Sequence, residues 1–168
     1  MDWKNTELVL EEYAKTVSVV YKDKLTQNGH IATGKLLNSV KYEISKGDRD
    51  ICVSLKLDEV WKWVENDCKP HFPPIKPLIE WVHNKFNGNP PDMPSKTYDG
   101  PLPSVETLEK QFAYMVQHKI GEEGTEGTHD LQKTLQEVNR MFEQKIGEAI
   151  TQDLDDTMIS IITQFQMK

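Results

Sequence analysis

From Asp130 to about Gln166, apolar residues return every three or four positions: Leu131, Leu135, Val138, Phe142, Ile146, Ala149, Ile150, Leu154, Met158, Ile161 and Phe165. That period marks an α-helix. Unbroken, it is a rod of roughly 50 Å at the usual rise per residue. A compact domain of this chain length has a radius of gyration of about 15 Å. The helix must therefore break, most simply at Gly147, or project and meet another subunit. Its spacings mix threes and fours without holding a strict heptad, which weakens a coiled-coil reading.

A second stretch is as restrictive. Val64 to Phe86 reads VENDCKPHFPPIKPLIEWVHNKF. Lys69-Pro70-His71-Phe72-Pro73-Pro74 is not helical, because proline bars the helical basin to the residue before it. Pro73 and Pro74 hold two successive φ angles. A helix follows, with Pro77 tolerated in its first turn and Leu78, Ile79, Trp81, Val82 and Phe86 at helical spacing. This is a stiff elbow with His71 and Phe72 at its apex. Read from physics alone, it is a rigid connector whose Phe72 plugs the core, since aromatic rings mostly serve packing. Its stiffness also suits presentation of a surface to a partner, because little entropy is lost on contact.

The rest of the chain supplies partners for these two pieces. A first helix is expected from about Asn5 or Thr6 to Asn28, with Leu10, Tyr13, Val17, Val20, Tyr21 and Leu25 on one stripe and Asn28-Gly29 as a left-handed stop. Thr33 is placed to cap a short turn, Gly34 to Ser39, aiming Leu36 and Leu37 inward. Val40 to Ser45 and Ile51 to Leu57 each alternate, with the turn Lys46-Gly47-Asp48-Arg49 between them. They predict an antiparallel hairpin with one dry face, covered by helices. Asp58 is placed to cap a short helix carrying Val60, Trp61 and Val64. Asn87 to Ser104, with five prolines, is a long surface loop. Ser104 caps a helix striped with Val105, Leu108, Phe112, Met115, Val116 and Ile120. Gly121 to Thr128 is expected to be a second mobile loop. Together these elements predict an α+β fold: a small hairpin-based antiparallel sheet wrapped by several helices, with a long C-terminal helix. The domain reading is 1–130 with a flexible insertion at about 87–104, and 131–168 as a helix packing on that domain or on a neighbouring subunit.

A chain of 168 residues and net charge −7 is poorly suited to general nucleic-acid binding, which needs clustered Lys and Arg. It suits a surface past which DNA slides without sticking. Cys52 and Cys68 make no disulfide framework, which points to synthesis in a reducing compartment. The opening MDWKNTELVLEEY lacks the apolar core of a signal peptide. No run approaches the ~20 apolar residues that span a bilayer.

Catalytic and metal chemistry find little support. Cys68 and His71 have the spacing of half a zinc site, but a second pair is missing and about four ligands are needed. The same two residues are a formal nucleophile and base, without an orienting third group or oxyanion loop. Asp153, Asp155 and Asp156 on one helix read as a solvated face. Gly121, Gly124 and Gly127 lack the strand and lysine of a phosphate loop. Of Trp61 and Trp63, two apart, one is expected in the core and the other as an exposed anchor. No cofactor is expected.

The order of motifs resembles a known family. A helix precedes Ala32-Thr33-Gly34-Lys35-Leu36-Leu37-Asn38-Ser39-Val40, then come the hairpin, Trp63-Val64-Glu65-Asn66, Lys69-Pro70-His71-Phe72-Pro73-Pro74, an apolar helix with Trp81, and Gly124-Thr125-Glu126-Gly127. This is similar to the small tail-completion or head–tail joining (neck) proteins of tailed bacteriophages, of minor tail component type. The chain departs from the family pattern at Asp67-Cys68, where Gly-Thr is usual, and after Thr125, where Pro-Phe is usual. The resemblance implies a non-enzymatic structural protein of the virion neck or tail, made in the host bacterial cytoplasm. It implies a homo-oligomeric ring between portal and tail, contacting portal or adaptor and tail-tube or tail-terminator proteins, with DNA passing through its lumen and no membrane role. The interface candidates are Trp63, Lys69, His71, Phe72, Pro73, Thr125, Leu154, Met158, Ile162 and Phe165. The alternatives are a helical interaction module of a different assembly and a small hydrolase using Cys68.

Overall fold

The computed structural model describes residues 3–30, 33–47, 50–91 and 104–166. Among them the element order is α1 (Lys4–Gln27), α2 (Lys35–Ser39), β1 (Lys41–Lys46), β2 (Ile51–Lys56), α3 (Trp61–Glu65), α4 (Ile75–Phe86), α5 (Val105–Glu123) and α6 (Asp130–Gln166). The fold is α+β, with a two-stranded antiparallel sheet and a long C-terminal helix, as the patterning predicts. Ala32, the Asp48-Arg49 part of the hairpin turn and residues 92–103 of the long loop lie outside the described residues. By its internal contacts the chain forms two compact units.

The first unit joins Met1–Gln27, Ser39–Asp58 and Asp130–Lys168. Helices α1 and α6 run antiparallel within it. Tyr13 Oη donates to Asn139 Oδ1 at 2.7 Å, Lys145 reaches Glu12 at 3.1 Å, and Lys24 reaches Glu137 at 2.8 Å. Between them lie Val17, Val138 and Phe142, with Val9, Tyr13, Val20, Leu135 and Ile146 packed around. Tyr13 meets Phe142 edge-on at 5.7 Å. The hairpin pairs Tyr42 with Leu55 and Ile44 with Val53. Leu55 carries its contribution to the core. Its apolar face is half-buried rather than sealed, because a two-stranded ribbon is too narrow to be enclosed on its own.

The rod does not break at Gly147: α6 is continuous over 37 residues. A mid-helix glycine costs about 1 kcal/mol relative to alanine. Here Phe142 and Ile146 before it and Ala149 after it are held against the rest of the unit, and that burial outweighs the glycine. The helix projects instead. From Leu154 to Gln166 every residue except Thr157 is exposed.

The second unit joins Asn28–Asn38 and Glu59–His129. Gly29, at φ +69°, ends α1. Thr33 Oγ1 accepts from the Lys35 amide at 3.3 Å and Leu36 is buried, so the short turn is capped as expected. The cap of α3 is Val60, with no side-chain bond, rather than Asp58. The Asp58 amide is already engaged by Ser39 Oγ at 2.8 Å. Helices α4 and α5 close on Val82 and Ala113, both fully buried. Phe86 stands edge-on to Trp81 and to Phe112. His83 Nδ1 meets the buried Glu109 carboxyl at 2.9 Å. Ser104 caps α5, accepting from the Thr107 amide.

Candidate functional site

The elbow lies within the second unit, and its shape depends on a paired segment. Gly121 to Thr128, expected as a mobile loop, is nothing of the kind. Its first three residues finish α5, and the remainder is stitched to the elbow. Cys68 and Thr125 exchange both backbone hydrogen bonds, at 2.8 and 3.0 Å. The Thr128 amide donates to the Val64 carbonyl at 2.9 Å, and the His129 amide to Glu65 at 3.3 Å. The His71 amide donates to Ile120 at 3.3 Å, Gln117 Nε2 to Pro73 at 2.6 Å, and the Gly127 amide to Asp67 Oδ1 at 2.7 Å. These bonds give many of the donors of this otherwise irregular stretch a partner.

Three glycines at spacing three make this approach possible. A Cβ on Gly127 would strike the backbone of Glu65 and Asn66. One on Gly124 would strike the Cys68 carbonyl, and Gly124 also sits at φ 78° and ψ −158°, a region open essentially to glycine alone. One on Gly121 would come within 2.5 Å of the Phe72 ring. The elbow is laid antiparallel along this glycine row, seat by seat.

On the outside stand the aromatics. Phe72 does not plug a core: it is 64% exposed, lying over Gly121 and edge-on to His118 at 5.8 Å. The two prolines that follow it fix the backbone there, Gln117 holds the Pro73 carbonyl, and the ring rests on Gly121 of α5. Trp63 is 66% exposed and Trp61 half-buried. The His71 ring lies 6.5 Å from Trp63, and its Nδ1–H donates to the Lys69 carbonyl at 2.9 Å. Cys68 Sγ lies 3.8 Å from the Asn66 carbonyl. Among the described residues, no three of His, Cys, Asp or Glu gather to hold a metal ion, and no helix is long and apolar enough to cross a membrane.

The arm of α6 belongs to the first unit. Asp153, expected on a solvated face with Asp155 and Asp156, is 1% exposed. Its Oδ1 accepts from the Asn5 amide and side chain, each at 2.9 Å, and its Oδ2 from the Thr6 amide at 2.8 Å. It therefore caps the first turn of α1, where orphan amides and the helix dipole favour an anion. Burial penalises its charge, but the hydrogen bonds from Thr6 and Asn5 outweigh that and hold the carboxyl below its ordinary value. Beyond this cap the arm exposes Leu154, Met158, Ile159, Ile161, Ile162 and Phe165, the last 77% exposed.

So Trp63, Lys69, His71, Phe72, Pro73 and Thr125 come together at the elbow, and Leu154, Met158, Ile162 and Phe165 along the arm. Sequence reasoning missed the glycine row, Gln117 and the cap role of Asp153. The three-residue glycine spacing was the visible signal for the first; a cap contributed from the far end of the chain leaves none. Compared with known proteins, the chain matches no family model, no curated protein and no solved structure.

Proposed function

We propose that the chain is a structural ring subunit of a tailed bacteriophage virion, seated in the neck between portal and tail. One observation carries the reading. Three of the blocks behind the family resemblance, Trp63–Asn66, Lys69–Pro74 and Gly124–Gly127, meet in one stitched elbow with Trp63, His71 and Phe72 outward. A rigid, aromatic, solvent-facing elbow is what a head-to-tail contact between identical copies needs, since little has to be ordered on binding. The net charge of −7 suits a lumen that lets DNA pass without holding it. The partners on this reading are sister copies, a portal or adaptor ring above, and a tail-tube or tail-terminator ring below.

The test is a double variant, Trp63→Asp with Phe72→Asp, in the phage that encodes the chain. Both side chains are largely exposed, so the folded subunit survives. The expected result is DNA-filled heads without tails, with the chain absent from purified particles. Infectious, tailed particles carrying the variant at normal copy number would defeat the proposal.

A further inference from the structure

Six apolar side chains on the α6 arm, past Asp153, are 46% to 77% exposed. Leu154, Met158, Ile161 and Phe165 recur at spacings of four, three and four, the seam of a helix that meets another helix. Ile162 widens the band to about 100° of the helix surface. The α6 residues buried in the first unit, Asp130, Thr134, Val138, Phe142, Ala149 and Asp153, lie on nearly the opposite side of the helix, roughly 160° away at 100° per residue. The band is thus not a continuation of the seat that α1 occupies, and a longer α1 would not cover it.

The charges say what does. From Thr157 to Gln166 there is no charged residue, and the arm's acids, Asp155 and Asp156, sit together at its root. A helix that lies on a membrane surface carries Lys and Arg on its polar face; this one carries neither, so an anionic lipid surface is a poor partner. A second copy of the arm fits when the two run antiparallel. Leu154 then lies against the partner's Phe165 end, Met158 against its Ile161, and the two acid pairs fall at opposite ends. A parallel pair would set four carboxylates at one level, which is repulsive. Covering the five side chains of the band on both copies removes on the order of 1,000 Å² from water, the low end for a specific interface.

We propose that the free protein is a reversible two-fold dimer closed by antiparallel pairing of two α6 arms. A two-fold contact does not itself close a ring, so this pairing is separate from the elbow contact. It stands or falls without the virion reading.

The experiment is sedimentation equilibrium of the full chain over a concentration series centred at about micromolar, where such an interface dissociates. The weight-average mass is expected to rise from the 19.4 kDa monomer toward twice that value. Met158→Glu with Ile161→Glu is expected to return the monomer, with the unfolding midpoint that the unaltered chain shows when diluted to monomer, because both side chains are exposed. Orientation is read by cross-linking in a Cys52→Ser, Cys68→Ser background. Leu154→Cys mixed with Phe165→Cys is expected to form a disulfide at several times the yield of either variant alone. A monomer at every concentration, a dimer that survives the glutamates, a higher oligomer, or a dominant Leu154→Cys homodimer would each overturn the proposal.

Discussion

Asp153 and Asn5 are 148 positions apart in the chain, yet the carboxylate of one closes the helix that opens at the other. Burial works against its charge, but the hydrogen bonds from Thr6 and Asn5 overcome it and hold the carboxyl below its ordinary value. A depressed carboxyl stabilises the folded state above its unfolded value, and that stabilisation is lost as pH falls through the folded value. Stability is therefore expected to decline on acidification below about pH 4. Asp153→Asn is expected to cost about 2 kcal/mol at neutral pH and to flatten the acid slope; urea midpoints at pH 7 and pH 3 check both. The glycine row predicts a contrast. Gly124→Ala meets backbone at a φ that alanine resists, for a loss of about 2–3 kcal/mol. Gly121→Ala meets only the far edge of an exposed ring that can swing aside, for a loss under about 1 kcal/mol. Denaturant unfolding measures the energies, and amide exchange at Thr125 follows the stitch itself. Neither role was legible as a residue type. Asp153 reads as one of three acids and Gly124 as one of three loop glycines, because the group each one serves lies tens of positions away.

At the scale of elements the sequence was far more open. The three-to-four period of α6, the alternation of the hairpin, Ser104 as a cap and Gly29 as a stop all appear where patterning puts them. These are local rules, carried by residues within a turn or a strand of one another. What patterning missed was competition between elements. Gly147 looked like a break because its cost is local, while the burial that overrides it comes from α1 packing against α6. A Cβ at Gly147 meets nothing within 4 Å. Gly147→Ala is therefore expected to stabilise the chain by about 1 kcal/mol, seen as a rise of about 2–4 °C in thermal midpoint. No rise would mean that the helix is bent or frayed there.

Among the described residues, the elbow, on a stiff paired backbone, and the arm, on a bare helix, both carry apolar groups outward. The α+β class and the order of elements were legible throughout. Which apolar residues would end up outside was not, since Phe72 and Phe165 are as greasy in sequence as Phe142, and only the three-dimensional course of the chain separates them. Deleting everything after Thr157 keeps one helical turn beyond Asp153, including the Thr157 hydroxyl bond to the Asp153 carbonyl at 2.8 Å. That shortened chain is expected to lose less than about 1 kcal/mol of stability, as read by its urea midpoint. A larger loss would mean that the deleted segment is part of the fold.

The position of Asp153 has a mechanical sequel. It sits where the supported part of α6 gives way to the unsupported part, so it is the fulcrum of a lever. A sideways push on Phe165 is borne at that fulcrum by three hydrogen bonds to Asn5 and Thr6. Load applied at Phe165 is felt at Asn5 and Thr6, and loosening of the opening turn of α1 becomes the gauge of what grips the arm.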